Sequence, residues 1–456
     1  MSRLTVLFWG LLFLTAGLLV SLDGWGRNGG STPPPPPIPG KIQHIVVIFQ
    51  ENRTPDNLFH DSVLISRGAD IASSGINSDG QTIPLAPVSL ATDYDPNHSH
   101  NSFVLMYDKG KMDGADKIPV FCKPGATDCP APNLQFAYVN PSEVAPYFQM
   151  AERYTFADRM FQTNQGPSFP AHQFIISGTS APTATSNLFA AENPGGSIAG
   201  CIALPKTTVH LIDPSGNEST AIYPCFEHPT LTDRLDAKGI TWNYYAPSAG
   251  SIWTGPDAIQ HICQPQTQSG KLVCTGRAWS NVIIPQKRIL TDIANNDLAQ
   301  VTWVIPSGRE SDHPSGNDGS GPSWVASIVN AIGTSPYWAN TAILITWDDW
   351  GGWYDHVAPQ IVNSYEYGFR VPLIVVSPYA KAAYVSHVTH DFGSILKFIE
   401  KNFKLATLGY ADVRADDLSD CFDLSQTPLT FQTIPAALDA DHFLNDKRTP
   451  TDPDDD

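Results

Sequence analysis

Positive charge is scarce in this sequence. Lys and Arg number 27 against 45 Asp and Glu, a net charge of −18, and no basic run offsets the deficit. A chain this acidic repels polyanions, which disfavours non-specific capture of nucleic acid. The seven cysteines contain no CxxC pair, so zinc-thiolate binding is a poor reading of them. No internal repeat is visible. With 34 Gly and 39 Pro, the chain must turn often and carry long loops, which argues against a helical bundle.

What is present suffices for a large core. The 456 residues are 42% hydrophobic, consistent with one to three domains. Arg3 precedes a nearly unbroken apolar stretch, residues 4–22, followed by Asp23. This pattern fits an export signal. The stretch also approaches the ~20 residues that span a bilayer and shows no Ala-x-Ala site, so it reads equally as an anchor. Residues 23–40 contain a five-proline run, an extended spacer by composition. A folded domain is expected over 41–444, with a solvated acidic tail over 445–456. In an exported chain, Cys122 with Cys129, Cys201 with Cys225, and Cys263 with Cys274 lie close enough for local disulfides, leaving Cys421 unpaired.

The chain is organised around residues 346–359, TWDDWGGWYDHVAP, which follow the strand-like run TAILI. Adjacent Asp348 and Asp349 repel each other unless a proton or a cation separates them, which points to a divalent metal. Gly351 and Gly352 then allow a tight fold that could return Asp355 and His356 toward the same place. A second apolar run, QHIVVIFQ over 43–50, ends at Glu51, Asn52 and Arg53. In open α/β sheets ligands collect at the carboxyl ends of strands, so Glu51 and Asn52 can share a site with the aspartate pair.

Between these stretches the pattern alternates as a parallel sheet requires. Helices are expected over 144–153, 230–237, 288–295, 323–331 and 391–401, and further strands over 240–245, 300–305 and 370–377. Ser168 follows Gly166-Pro167 at the head of an apolar segment. A hydroxyl there meets unpaired backbone N–H groups and suits an anionic phosphate, although it could equally cap the helix. His98 and His100 lie in a loop before GKMDG, and His313 follows the strand over 300–305 within SDHP. His261 sits in a helix-like AIQHI, while His387 and His390 read as packing or supporting groups.

Taken together, HIVVIFQENR, DPNH with YDKGKMDG, NQGPSFPAHQ, SDHP and TWDDWGGWYDHV resemble the phosphoesterase family of bacterial phospholipases C and an acid phosphatase, in the family's order over about 42–401. The resemblance implies an alkaline-phosphatase-like α/β fold, a mostly parallel sheet flanked by helices with loop-rich insertions. It implies metal ligands at Glu51, Asn52, Asp348 and Asp349, and a nucleophile at Ser168. His98 and His313, with His261 as a third, are implied to contact phosphate or move protons. Many relatives read Asp-Glu where Asp348-Asp349 stand, and the phospholipases tend to carry Thr in place of Ser168, which leans toward the phosphatase side.

The expected function is therefore exported, metal-dependent hydrolysis of a phosphoester, with a phospholipid headgroup among the candidate substrates, through a phosphoseryl intermediate. Oxygen-rich ligands do not identify the metal. Two rivals share the residues. One is a noncatalytic extracellular protein holding structural calcium, with Trp350, Trp353 and Tyr354 contacting a ligand. The other is a hydrolase using activated water without a covalent step.

Overall fold

The computed structural model describes residues 40–451, so the apolar segment 4–22 and the proline run lie outside the described residues. Runs rich in Val and Ile become strands that are buried along nearly their whole length. Eight strands form one sheet: β1 (His44–Gln50), β2 (Thr155–Ala157), β3 (Trp242–Tyr245), β4 (Val282–Ile283), β5 (Val301–Val304), β6 (Thr341–Trp347), β7 (Leu373–Val376) and β8 (Tyr384–Ser386). Their order is β4-β3-β5-β1-β6-β7-β2-β8. β1 pairs in parallel with both β5 and β6, in the register Gln50 opposite Trp347. β7 is antiparallel to β6 and β2, so the expected strand over 370–377 exists but runs against the rest.

A sheet buried on both faces needs cover on both, and side-chain alternation shows which helices supply it. Phe49 packs on Phe392 and lies 6.4 Å from the His172 ring, placing α2 (Ser168–Ser177) and α6 (Phe392–Phe403) on its face. Trp347, opposite the next residue of β1, packs edge-on against Tyr147 at 5.1 Å, which places α1 (Ala145–Arg153) on the other face. α5 (Gly321–Gly333) packs with α1 and with α4 (Arg288–Ala294), and α3 (Leu231–Lys238) packs with α2. β1, β5 and β6 point their carboxyl ends to one edge, where Glu51, Asp312 and Asp348 emerge.

The three expected cysteine pairs are bonded, and Cys421 is free and buried. The expected solvated tail is docked in part. Thr451 accepts from Gly308 N–H at 2.9 Å and from Arg309 N–H at 3.1 Å, because the polar tail can complete backbone hydrogen bonds of that turn. Residues 452–456 lie outside the described residues.

Asp355 and His356 are not returned to the aspartate pair. They enter a separate buried cluster whose cation belongs to the chain. Arg370 Nε donates to Asp355 at 2.9 Å and Nη2 to Asp56 at 3.2 Å, while His356 bridges Asp56 at 2.7 Å and Asp70 at 3.0 Å. Removing one partner leaves buried carboxylates uncompensated. Arg370→Met should therefore cost about 3–5 kcal/mol in equilibrium denaturation; a loss below about 1 kcal/mol would show that the cluster is not needed.

His356 adds a pH signature. Burial disfavours its charged form, but Asp56 and then Asp355 overcome this and raise its pKa to about 9. Because that lies above the unfolded value of 6.5, its stabilisation is complete below that value and is lost as pH rises through about 9. Denaturation midpoints should fall across that window, and fall less in His356→Gln. Parallel profiles would remove the assignment.

Candidate active site

β1 and β6 bring Glu51, Asn52, Asp348 and Asp349 together, all fully buried. The two strand ends are stapled by their own polar groups. Asp348 N–H donates to Gln50 O at 2.9 Å, Arg53 N–H to Asp349 O at 3.0 Å, and Asn52 N–H to Asp348 Oδ1 at 3.1 Å. Asn52 has φ 63°, a conformation in which its short amide is tolerated better than a branched side chain. The glycine pair permits this approach. At φ 62°, Gly351 lies so close to Asn52 that a Cβ would meet the Asn52 backbone and stand 2.5 Å from its Cβ. A Cβ on Gly352 would meet Pro96 at 2.6 Å.

Ser168 is the first residue of α2, after the N-cap Pro167, so its side chain is not the cap. Its Oγ instead donates to Asp349 Oδ2 at 3.3 Å, while the neighbouring Phe169 N–H is taken by Asn193 Oδ1 at 2.9 Å. The other Asp349 oxygen accepts from Gly351 N–H at 2.8 Å. Burial first, then the adjacent Asp348 carboxylate, hold the Asp349 carboxyl well above the usual carboxylate range.

Two of the three expected histidines join the cluster. His98 Nε2 receives the Asn52 amide at 3.2 Å and lies 3.9 Å from Asp349, and its Nδ1–H is directed to Pro96 O at 3.2 Å. His313 stacks edge-on to His98 with ring centres 5.9 Å apart, and its Nδ1–H donates to Pro314 O at 2.7 Å. Burial pushes His313 down to about 4. The loop bearing it is clamped by Arg53, whose Nε and Nη2 donate to Asp312 O at 2.9 and 2.7 Å. Tyr147 and Trp347 fix the Asp312 carboxylate at 2.9 Å each.

His261 is not brought in. It lies on a short, partly exposed helix, paired with Glu227 at 2.8 Å and Asp233 at 3.1 Å, because the AIQHI pattern turns its histidine outward. Trp350, Trp353 and Tyr354 are buried rather than offered to a ligand. Trp350 lies 4.8 Å from Phe369, Trp353 carries the Arg53 guanidinium at 5.0 Å, and Tyr354 stacks on Phe136 at 4.8 Å. His172 was missed by sequence reasoning. It stands 3.5 Å from Glu51 and 3.8 Å from Asp348, and burial lowers it to about 4. The available signal was its spacing, four residues after Ser168 on one helix face.

The expected divalent metal fits these groups. Asn52 Oδ1 and Asp348 Oδ2 are buried without a hydrogen-bond partner among the described residues, beside the Glu51 carboxylate. Unpaired acceptors of this kind in a buried acidic site are what a cation satisfies. A cluster of this make-up, with a hydroxyl beside a cation, has the groups that phosphoester chemistry uses.

The family model described as the Phosphoesterase family matches residues 42–406. The chain is 22% identical over 445 residues to hemolytic phospholipase C of Pseudomonas aeruginosa, covering 84% of this chain and 56% of that protein. It is 24% identical over 477 residues to phospholipase C B of Mycobacterium tuberculosis, covering 91% and 84%. The chain thus spans about half the length of the Pseudomonas relatives it matches. A solved alkaline phosphatase superfamily protein from Vibrio parahaemolyticus aligns over 84% of this chain and 72% of its own, at 10% identity and a TM-score of 0.37.

Gly351→Ala tests the close approach. The positive φ costs about 1–2 kcal/mol for any L side chain, and the forced shift of Asn52 a further about 1–3. A stability loss of at least about 2 kcal/mol is expected by denaturation; a neutral variant would contradict the geometry.

Proposed function

The chain belongs to the phosphoesterase family, and on that premise we propose that it is an exported, metal-dependent phosphoester hydrolase acting through a Ser168 phosphoenzyme. The observation that carries this reading is the Ser168 hydroxyl, buried at the head of α2 and hydrogen-bonded to Asp349 at 3.3 Å beside the acidic strand ends. A divalent cation held by Glu51, Asn52 and Asp348 would neutralise that edge, keep Asp349 ionised and stabilise negative charge on the phosphoryl oxygens.

Ser168 Oγ attacks phosphorus and forms the Oγ–P bond, its proton passes to Asp349 Oδ2, and the bond from phosphorus to the alcohol oxygen breaks. His98 and His313 turn their Nδ1–H to backbone carbonyls, so each keeps its lone pair on Nε2, where His98 accepts the Asn52 amide and His313 has no hydrogen-bond partner among the described residues. As the anionic ester enters, one ring takes a proton from solvent and gives it to the leaving oxygen. In the second displacement the neutral ring accepts a proton from the attacking water, and Ser168 leaves with the proton held by Asp349. This makes the rings proton carriers, and phosphate contact follows only when they are charged. The names of the relatives favour a phospholipid diester, and Ser168 in place of Thr favours a monoester, so both belong in the assay.

Ser168→Ala should fold and still bind metal, while turnover of every active ester falls more than about 10³-fold, beyond the loss of a single transition-state donor. Quenched wild type should yield phosphoserine at 168. Turnover above about a tenth of wild type, without phosphoserine, would favour activated water. Full metal binding with no ester hydrolysed would favour the calcium-binding protein.

Three disulfides support an oxidising compartment for the domain. A reporter fused after Gly40 should be exported; cytoplasmic retention of the reporter and of active full-length protein would reject export.

A further inference from the structure

His172 is fully buried on the second turn of α2, and the four expected ligands do not include it. Its tautomer follows from its neighbours. The Tyr244 hydroxyl donates its single proton to Trp253 O at 2.8 Å and accepts from Gly255 N–H at 3.4 Å. It can only accept from the ring as well, so the 3.3 Å contact to His172 Nδ1 requires Nδ1 to carry the hydrogen. Nε2 is left with a lone pair. That atom has no hydrogen-bond partner among the described residues, and it faces Glu51 Oε1 at 3.5 Å and Asp348 Oδ2 at 3.8 Å.

A lone pair aimed at two carboxylate oxygens is repulsive; a second ring proton or a shared cation relieves it, and the unpartnered Asn52 Oδ1 of the same cluster favours the cation. A shared cation reverses the sign of all three contacts. One ligand atom from each of Glu51, His172 and Asp348 lies within 4.8 Å of the others. Ligands held at about 2.0–2.2 Å around a tetrahedral ion stand roughly 3.3–3.6 Å apart, close to the separations seen. The alternation of β1 explains the meeting, since Phe49 already faces the His172 ring and Glu51 follows two residues later.

We infer that His172 Nε2 is a nitrogen ligand of the metal site, alongside Glu51 and Asp348, that Tyr244 is a positioning residue fixing its tautomer, and that the site takes a borderline transition ion of the zinc class in preference to calcium or magnesium. This rests on the metal dependence proposed above. The hard ions take oxygen ligands almost exclusively, whereas imidazole suits Zn²⁺ and its neighbours. A hydrogen bond from the distal ring nitrogen orients a ligating histidine and raises its basicity, the role the geometry gives Tyr244.

The test uses metal-stripped full chain titrated separately with Zn²⁺, Mg²⁺ and Ca²⁺, for wild type, His172→Gln and Tyr244→Phe, with X-ray absorption at the zinc edge on loaded wild type. Wild type should prefer Zn²⁺, and its spectrum should contain outer-shell scattering from an imidazole. His172→Gln should weaken Zn²⁺ by about 100-fold or more and Tyr244→Phe by about 10-fold, with Mg²⁺ and Ca²⁺ affinities unchanged. If a variant does not fold, the wild-type spectrum decides alone. Zinc bound through oxygen only, or with equal affinity in His172→Gln, overturns the assignment and leaves metal dependence standing. A wild type that binds none of the three ions overturns both.

Discussion

Like charges buried at one sheet edge are the constraint on which the rest of this structure depends. Glu51, Asp348 and Asp349 emerge from adjacent strands into an interior shielded from bulk solvent, and an isolated carboxylate there is costly unless protonated or paired. The backbone satisfies part of the demand by directing Asn52 N–H and Gly351 N–H at the two aspartates. Neutral donors do not cancel charge, however. Burial first, and then the adjacent Asp348, push the Asp349 carboxyl upward, and a cation beside Asp348 would oppose that shift.

The Arg370 cluster shows the other solution to the same difficulty. Asp56 and Asp355 are as deeply buried, but their countercharge is a guanidinium of the same chain, held by several hydrogen bonds. Such a cluster is complete in itself and offers a substrate nothing. Residues 346–359 thus lead from the acidic edge to a cluster neutralised by the chain's own guanidinium, with the turn of Gly351 and Gly352 between them.

How far the sequence could be read depended on whether a feature was local. Long apolar runs announced β1 and β6, and amphipathic spacing announced α1 and α6 within a residue or two of their ends. β2 and β8 were not foreseen, because three residues carry too little periodicity, and the reversed direction of β7 is a property of pairing rather than of its own composition. Ser168, His98, His313 and the two acidic pairs were readable because each stands in a short motif at the end of an element. His261 was misplaced for want of a partner visible in sequence. His172 was overlooked since its surroundings come from Glu51, just past β1, and Tyr244 in β3, both far from it in sequence.

β1 and β6 lie side by side, although Asn52 and Asp348 are separated by 296 positions along the chain. Parallel neighbours so remote close a very large loop before any of their contacts is repaid, which places this pairing among the slow steps of folding. Neither the first half of the polypeptide nor the second contains a working acidic edge. The acidic edge is thus a late arrival: intermediates can hold nearly all of the secondary structure, expose unpaired β1 and β6 edges to other chains, and still lack the edge altogether.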